Sequence, residues 1–503
     1  MKDIVILDGA SLTLENVVDV SRRRFTVGID TARLDVLQER RKVVERHAAS
    51  ENPVYGINTG FGKLATVKIA GSQLRQLQRN LILSHSAGMG DLLAEEFVRA
   101  MMIIRANGLL KETSGVRPVL PETLVAMLNA GIHPVVPEQG SVGASGDLAP
   151  LSHMALAMMG EGEVLVTTDG VVSRRPARDA LPAAGIEPVV YEAKEGLALI
   201  NGTPAHAGIL ALLAHDANRL WFNTHGAVAL SLEGLKGSPD AYDERLHDAR
   251  PHPGQLESAR LLRELLTGSE LRESHRNDDP RVQDAYCLRC VPQVMGAVKD
   301  SIDFAARVAK IEINSATDNP LVLDDDIVSG GNFHGQPVAQ ALDFLAVSLT
   351  TLLGMSERRI ERIVNPDLSG GLSAFLAINP GLESGFMMVQ IGAAALVGES
   401  RSLATPASVQ SVPTDANQED FVPMGMAAAF KARRIYDNAR RVVACELLSA
   451  AEALERHRPL RSSERVEQLL SCVRERVAPL TGDRPLTDDI ENLADLVKEE
   501  TLI

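Results

Sequence analysis

The sequence predicts a mainly α-helical protein: a long central helical bundle with a smaller N-terminal region that contains short strands. Three observations predict it. From residue 205 onward the chain reads as a run of long helical segments, at 205–236, 292–314, 337–364, 385–402 and 425–457, well beyond the usual length of about 10–14 residues. In the third of these, Leu342, Leu345, Leu349 and Leu352 recur at 3-4-3 spacing, a stripe for packing against neighbouring helices and not a cofactor box. Before residue 205, a short strand and a hairpin stand among shorter helices and glycine-rich loops. We therefore divide the chain at 1–204 and 205–503, two regions serving one catalytic unit.

Composition narrows the function classes. Hydrophobic residues make up 45% of the 503, enough for a sizeable core. A formal charge of -15 argues against a nucleic-acid or anionic-membrane partner. Four cysteines form no disulfide framework and fit a reducing compartment. Cys287 and Cys290 make a lone C-x-x-C with no second pair nearby, so no metal site is expected. The first apolar run, Ile4 to Leu7, is too short for a signal-peptide core and ends at Asp8-Gly9. The most apolar helical windows carry Asp216 and Arg219, or Asp343, and none reaches about 18 uncharged apolar residues. The expectation is a cytoplasmic protein.

Taken in order, a strand at 3–7 opens the chain, followed by helices at 12–21 and 31–48. Residues 52–62 hold three glycines and a proline and read as a loop carrying Tyr55. A helix at 72–86 ends in Ser84-His85, and histidine near a helix C-terminus suits the dipole. Two more helices lead to the turn Gly140-Ser141-Val142-Gly143-Ala144-Ser145-Gly146-Asp147, where Asp147 reads as an N-cap and Pro150 lies in the first turn of the next helix. A hairpin of 164–167 and 171–173 around Thr168-Asp169-Gly170 follows. Asn201 then interrupts an apolar run, and as a local signal it reads as a cap for the helix beyond. Further on, Gln283, Tyr286 and Arg289 fall at i, i+3, i+6 and share one face if the segment is helical. An amide, a phenol and a guanidinium together suit an amino-acid zwitterion, with the guanidinium pairing the carboxylate.

The turn at 140–147 admits three chemistries. A phosphate cradle would use the helix N-terminus, but no Lys-Ser/Thr follows the glycines and there is no G-x-G-x-x-G register. A nucleophilic serine in G-x-S-x-G would need glycine at 147, where Asp147 stands. The third is self-modification: the amide nitrogen of Gly146 attacks the carbonyl of Ala144 and closes a five-membered ring, the carbonyl oxygen leaving as water, and Ser145 loses a second water to leave an exocyclic methylene. Glycine supplies the unhindered nitrogen, serine the β-hydroxyl, and a small residue the attacked carbonyl.

The Ala144-Ser145-Gly146 triplet in this string, with Tyr55-Gly56-Ile57-Asn58-Thr59-Gly60-Phe61-Gly62, resembles the ammonia-lyases of aromatic amino acids; the likeness runs from about Tyr55 to about Met424. In that family Ala-Ser-Gly becomes 4-methylidene-imidazol-5-one (MIO), so the resemblance implies an MIO and no diffusible cofactor or metal. It further implies that Tyr55 takes the substrate's β-proton, that Asn201 and Tyr286 support the amine and the MIO, and that Gln283 and Arg289 belong to the site, Arg289 holding the carboxylate. Phe333, in Ser329-Gly330-Gly331-Asn332-Phe333-His334-Gly335, matches a pocket phenylalanine. Ser84-His85 and Glu419, within Asn417-Gln418-Glu419-Asp420, resemble the histidine-specific members, where His85 and Glu419 would read an imidazole. Phe421 departs from the histidine pattern, which has His there, and Ala285 and Cys287 stand where Pro and Ser are common.

The implied activity is elimination of ammonia from L-histidine to give trans-urocanate, with a tyrosine or phenylalanine ammonia-lyase or an aminomutase as the alternative. A homotetramer with sites built from several subunits is implied as well. A fumarase-type lyase would need a Gly-Ser-Ser-x-Met-Pro-x-Lys signature, which the sequence lacks.

Overall fold

The computed structural model describes every residue except Met1, Lys2, Asp169, Asp278 and Pro280. The protein is mainly helical with a few short strands. The five long segments expected from the sequence form helices at Pro204–Gly234, Val291–Glu312, Gln336–Val364, Met387–Leu403 and Gly425–Glu455. All four leucines of the 342–352 stripe are fully buried, so apolar periodicity there encodes packing. The helix that carries them is the one described helix long and apolar enough to cross a membrane.

The chain divides into two compact units, each assembled from three stretches. The first comprises Met1–Leu212, Ala305–Asp343 and Pro406–Phe430. Its opening strand, Ile4–Leu7, pairs in parallel with Thr26–Ile29, a strand the sequence reading passed over. A helix at Leu14–Ser21 starts in a capping box between Thr13 and Asn16, and one at Thr31–Ala48 is capped by Asp30. Val43 and Val44 from the latter join Ile57, Leu74, Ala193 and Val322 in one apolar cluster. Burying Ile57 anchors the loop two residues beyond Tyr55. The predicted hairpin forms from Glu163–Thr168 and Val171–Pro176, with Ile132–Pro134 as a third strand; Asp169 at its tip lies outside the described residues.

The second unit comprises Leu213–Phe304, Phe344–Thr405 and Lys431–Ile503. At its centre Arg359 and Glu446, both fully buried, form a two-pronged ion pair at 2.5 and 2.8 Å. Ser231 and Ser356 donate to the remaining lone pairs of Glu446, so the buried charges are hydrogen-bonded as well as paired. The third arm of Arg359 donates to the Cys287 carbonyl at 3.2 Å, and the Tyr242 hydroxyl donates to the Leu288 carbonyl at 2.8 Å. The backbone between Tyr286 and Arg289 is thereby tied down from beneath.

Two local expectations need correction. Asp147 is not the N-cap of the following helix, Ala149–Met158; Leu148 occupies that place at φ 44° with no side-chain cap. The Asp147 carboxylate instead accepts from the Ala205 amide at 2.7 Å and meets His206 Nδ1 at 2.5 Å. An imidazole that gains a charge and a second helix's free amide together outbid a local cap. The helix around Tyr286 covers only Tyr286–Arg289, so Gln283 precedes it and the three side chains do not share one helical face.

Candidate active site

The turn at Ala144–Gly146 is held by backbone partners on every side. Gly143 pairs with Gly146 across the turn, and Gly146 pairs with Gly202. Gly146 has φ 77°, and a Cβ there would overlap the backbone of Gly202. Only glycine meets both demands at this position. The Asp147 amide donates to the Gly202 carbonyl at 2.7 Å, and the Gly143 carbonyl accepts from Gly335 at 3.1 Å. Ala144, whose carbonyl would be attacked, is buried.

Side chains complete the arrangement. The Asn201 side-chain amide donates to the Ser145 carbonyl at 2.7 Å and so serves the turn, while its backbone closes the helix Glu195–Ile200. Its own carbonyl oxygen is buried without a partner. Arg105, wholly buried, donates to the Asn201 and Ala198 carbonyls at 2.7 and 3.0 Å and so fixes the backbone behind them. Burial pulls this guanidinium down to about 10. Ser145 Oγ donates to Glu419 Oε1 at 2.5 Å, while Thr414 Oγ1 donates to Oε2 of the same carboxylate at 2.6 Å.

Two cavities, of about 480 and 460 Å³, both reach Ser145. Tyr55, Gly62, Ser145, Asn201, Asp415 and Glu419 line both. Ala144 and Phe333 face the first; Ser84 and His85 face the second. His85 closes the helix Leu74–His85, and its Nδ1 lies 2.9 Å from the Leu81 carbonyl. That contact places the hydrogen on Nδ1 in the neutral ring and leaves Nε2 as an acceptor. Burial lowers the pKa of His85, favouring the neutral form. Burial chiefly raises that of Tyr55; the Gly62 backbone opposes this, and Asp415 and Glu419 add to it.

The structure thus gathers Tyr55, Ser84, His85, Ala144, Ser145, Gly146, Asn201, Phe333 and Glu419 within the first unit. Gln283, Tyr286 and Arg289 belong to the second unit and line neither cavity. Tyr286 is 69% exposed, and the Arg289 guanidinium stacks on its ring at 4.7 Å. No group of histidine, cysteine and acidic side chains among the described residues is arranged to hold a metal ion.

Sequence reasoning missed two participants. His206, fully buried beside Asp147, gives no local signal on an apolar helix face. Burial disfavours its charge, but Asp147 overrides this and raises its pKa. Asp415 also went unnoticed; its place in both cavities depends on a turn that no spacing rule announces.

A glycine-tight Ala-Ser-Gly turn, a partly buried phenol and a carboxylate reaching the serine share one cavity wall on a helical scaffold. Residues 12–475 match the aromatic amino acid lyase family, to which the chain belongs. Histidine ammonia-lyase of Alkaliphilus oremlandii is 48% identical over 505 aligned positions, covering 100% of this chain and 98% of the relative. Among solved structures, tyrosine aminomutase from Streptomyces globisporus superposes with a TM-score of 0.92 at 40% identity, covering 98% and 96% of the two chains. Histidine ammonia-lyase from Trypanosoma cruzi gives 0.91 at 40% identity, covering 99% and 94%.

Proposed function

We propose that the protein eliminates ammonia from L-histidine to give trans-urocanate, using an MIO formed from Ala144, Ser145 and Gly146. The residues present fit that group: a glycine that tolerates no Cβ, a buried alanine, and a serine carbonyl already held by Asn201. Once formed, the MIO supplies an electrophile that makes the substrate's amino group a better leaving group. The remaining work falls to side chains. Tyr55 accepts the β-proton at its phenolate oxygen as the Cα–N bond breaks and the Cα–Cβ double bond forms. Asn201 and Tyr286 support the amine and the MIO, Arg289 pairs the carboxylate in a bidentate fork, and Gln283 joins that end of the site. Phe333 flanks the substrate's apolar body.

The observation that carries the histidine reading is the pairing of Glu419 and His85 around one serine. A neutral imidazole has one donor and one acceptor, whereas a phenyl ring has neither. Around phenylalanine both polar side chains would go unsatisfied, and sites of this kind reject such isosteres by roughly 10⁴–10⁵-fold. Incubating the purified protein with L-histidine, L-tyrosine and L-phenylalanine and identifying products tests this. Urocanate should dominate, and Glu419→Gln should cost histidine turnover far more than it costs the other two. Comparable kcat/KM for all three amino acids would refute the imidazole reading and leave the MIO reading standing.

The alternative, a tyrosine or phenylalanine lyase or an aminomutase, draws on one observation: exposed Phe421 lines the first cavity. Product analysis separates a β-amino acid from an unsaturated acid. We further propose a cytoplasmic homotetramer in which regions 1–204 and 205–503 serve sites shared between subunits, with Gln283, Tyr286 and Arg289 supplied to the Ser145 cavity of another copy. Neither nucleic acid nor membrane takes part.

A further inference from the structure

Glu419 and Asp415 hang from one tight turn. Thr414 and Glu419 pair in antiparallel fashion, the Thr414 amide donating to the Glu419 carbonyl at 2.8 Å and the return bond measuring 3.3 Å. Between them Asp415, Ala416 and Asn417 have φ 46°, 51° and 66°. Three consecutive non-glycine residues in the left-handed region persist only where their surroundings fix them, and such strain gathers at functional sites. One end of the turn sends Glu419 to Ser145. The other sends Asp415 to the loop that carries Tyr55.

There the short helical turn Gly62–Leu64 begins at Phe61, which provides no side-chain cap. Asp415 Oδ2 fills that role from across the chain, accepting from the Lys63 amide at 3.1 Å. Gly62 makes space for it: a Cβ at this position would collide with the Asp415 carboxylate. Gly62 also lies beside the Tyr55 phenol, toward which its backbone directs a hydrogen bond.

We propose that Asp415 is a positioning residue: its carboxylate latches the Tyr55 loop at Gly62-Lys63 and joins it, through the 414–419 turn, to the carboxylate that reads the substrate ring. The proposal rests on Tyr55 being the base. Asp415 also places negative charge near the phenol, adding to the burial that disfavours its ionisation. The other titratable groups around these cavities are Glu419, Asp420, His334 and His85.

The test uses full-length protein. In Asp415→Ala, hydrogen exchange at the Lys63 amide should accelerate by roughly tenfold or more, as for a lost cap. Its kcat for histidine should fall by about 10²-fold through misplacement of the base, with KM changing less. The mature mass should be unaffected. Asp415→Asn keeps an oxygen that can accept from Lys63, so exchange should stay near the parent rate. The rising limb of its kcat/KM profile should shift to lower pH because a negative charge beside Tyr55 is gone. Unchanged exchange in Asp415→Ala, or faster exchange with unchanged kcat, would overturn the latch. If Asp415→Ala fails to fold, Gly62→Ala, whose Cβ would collide with the Asp415 carboxylate, replaces it, and unchanged Lys63 exchange or unchanged kcat there overturns the latch. Should Tyr55→Phe keep full activity while Asp415→Ala still exchanges faster, the base assignment fails separately from the latch.

Discussion

The turn at 140–147 and the strip at 283–290 both rest on buried polar groups, yet they present opposite faces. Beneath the turn, Asn201, Arg105 and the Asp147–His206 pair hold the backbone, and Ala144 and Gly146 are themselves buried. Beneath the strip, Arg359 and Tyr242 hold Cys287 and Leu288 just as firmly, but Gln283 and Tyr286 point outward, with Val282 98% exposed beside them. A side chain that stays exposed on so rigid a footing is preorganised for something outside its own fold. The residues proposed to form the MIO all lie within one unit. On the shared-site proposal, the strip serves a second surface.

Ser145→Ala should break the comparison at its stronger end. Activity should vanish, and intact-mass spectrometry should find nearly the full sequence mass where the parent is lighter by two water molecules. An unmodified mass in fully active parent protein would sink the MIO reading. Mixing subunits sharpens the contrast next. Ser145→Ala and Tyr286→Phe should each be nearly inactive alone, and dissociated and reassembled together they should regain activity if the strip serves another copy's turn. Absence of recovery in verified mixed oligomers would mean that each chain uses its own strip.

A smaller effect belongs to the footing of the strip. Glu446→Ala leaves Arg359 charged and buried without its partner, which should cost about 3–5 kcal/mol in urea or guanidinium unfolding. A loss below about 1 kcal/mol would show that the ion pair is not what holds the strip. The mildest prediction concerns pH. A base that works as phenolate becomes more populated as pH rises, and the pKa of Tyr55 is raised above its ordinary 10.0, chiefly by burial. The kcat/KM for histidine should therefore climb from neutral into alkaline pH, and Tyr55→Phe should remove that limb together with most of the activity.

The long helices were legible because apolar periodicity over about 20–30 residues is hard to counterfeit. Their ends fall within two residues of expectation, as at 337–364 against Gln336–Val364. The turn at Ala144-Ser145-Gly146 was legible because six of the eight residues from Gly140 to Asp147 are glycine, alanine or serine. Asp147 was misread: local cap rules compare a carboxylate only with its nearest amides, and here a buried histidine 59 positions away wins. Asp415 was invisible for a related reason, since Lys63, its partner, lies 352 positions away. The strand Thr26–Ile29 was passed over because four residues closing on a parallel partner leave too short a pattern.

The contact between Ser145 and Glu419 carries one more consequence. While the serine keeps its hydroxyl, both carboxylate oxygens are engaged, one by Ser145 and the other by Thr414. If Glu419 reads the substrate ring as proposed, the unprocessed chain occupies its own recognition group, and a single hydroxyl is what occupies it. Dehydration would remove that hydroxyl and uncover the Glu419 oxygen in one irreversible act. The protein would ripen without a protease, and its competence to bind would date from the moment of its competence to react.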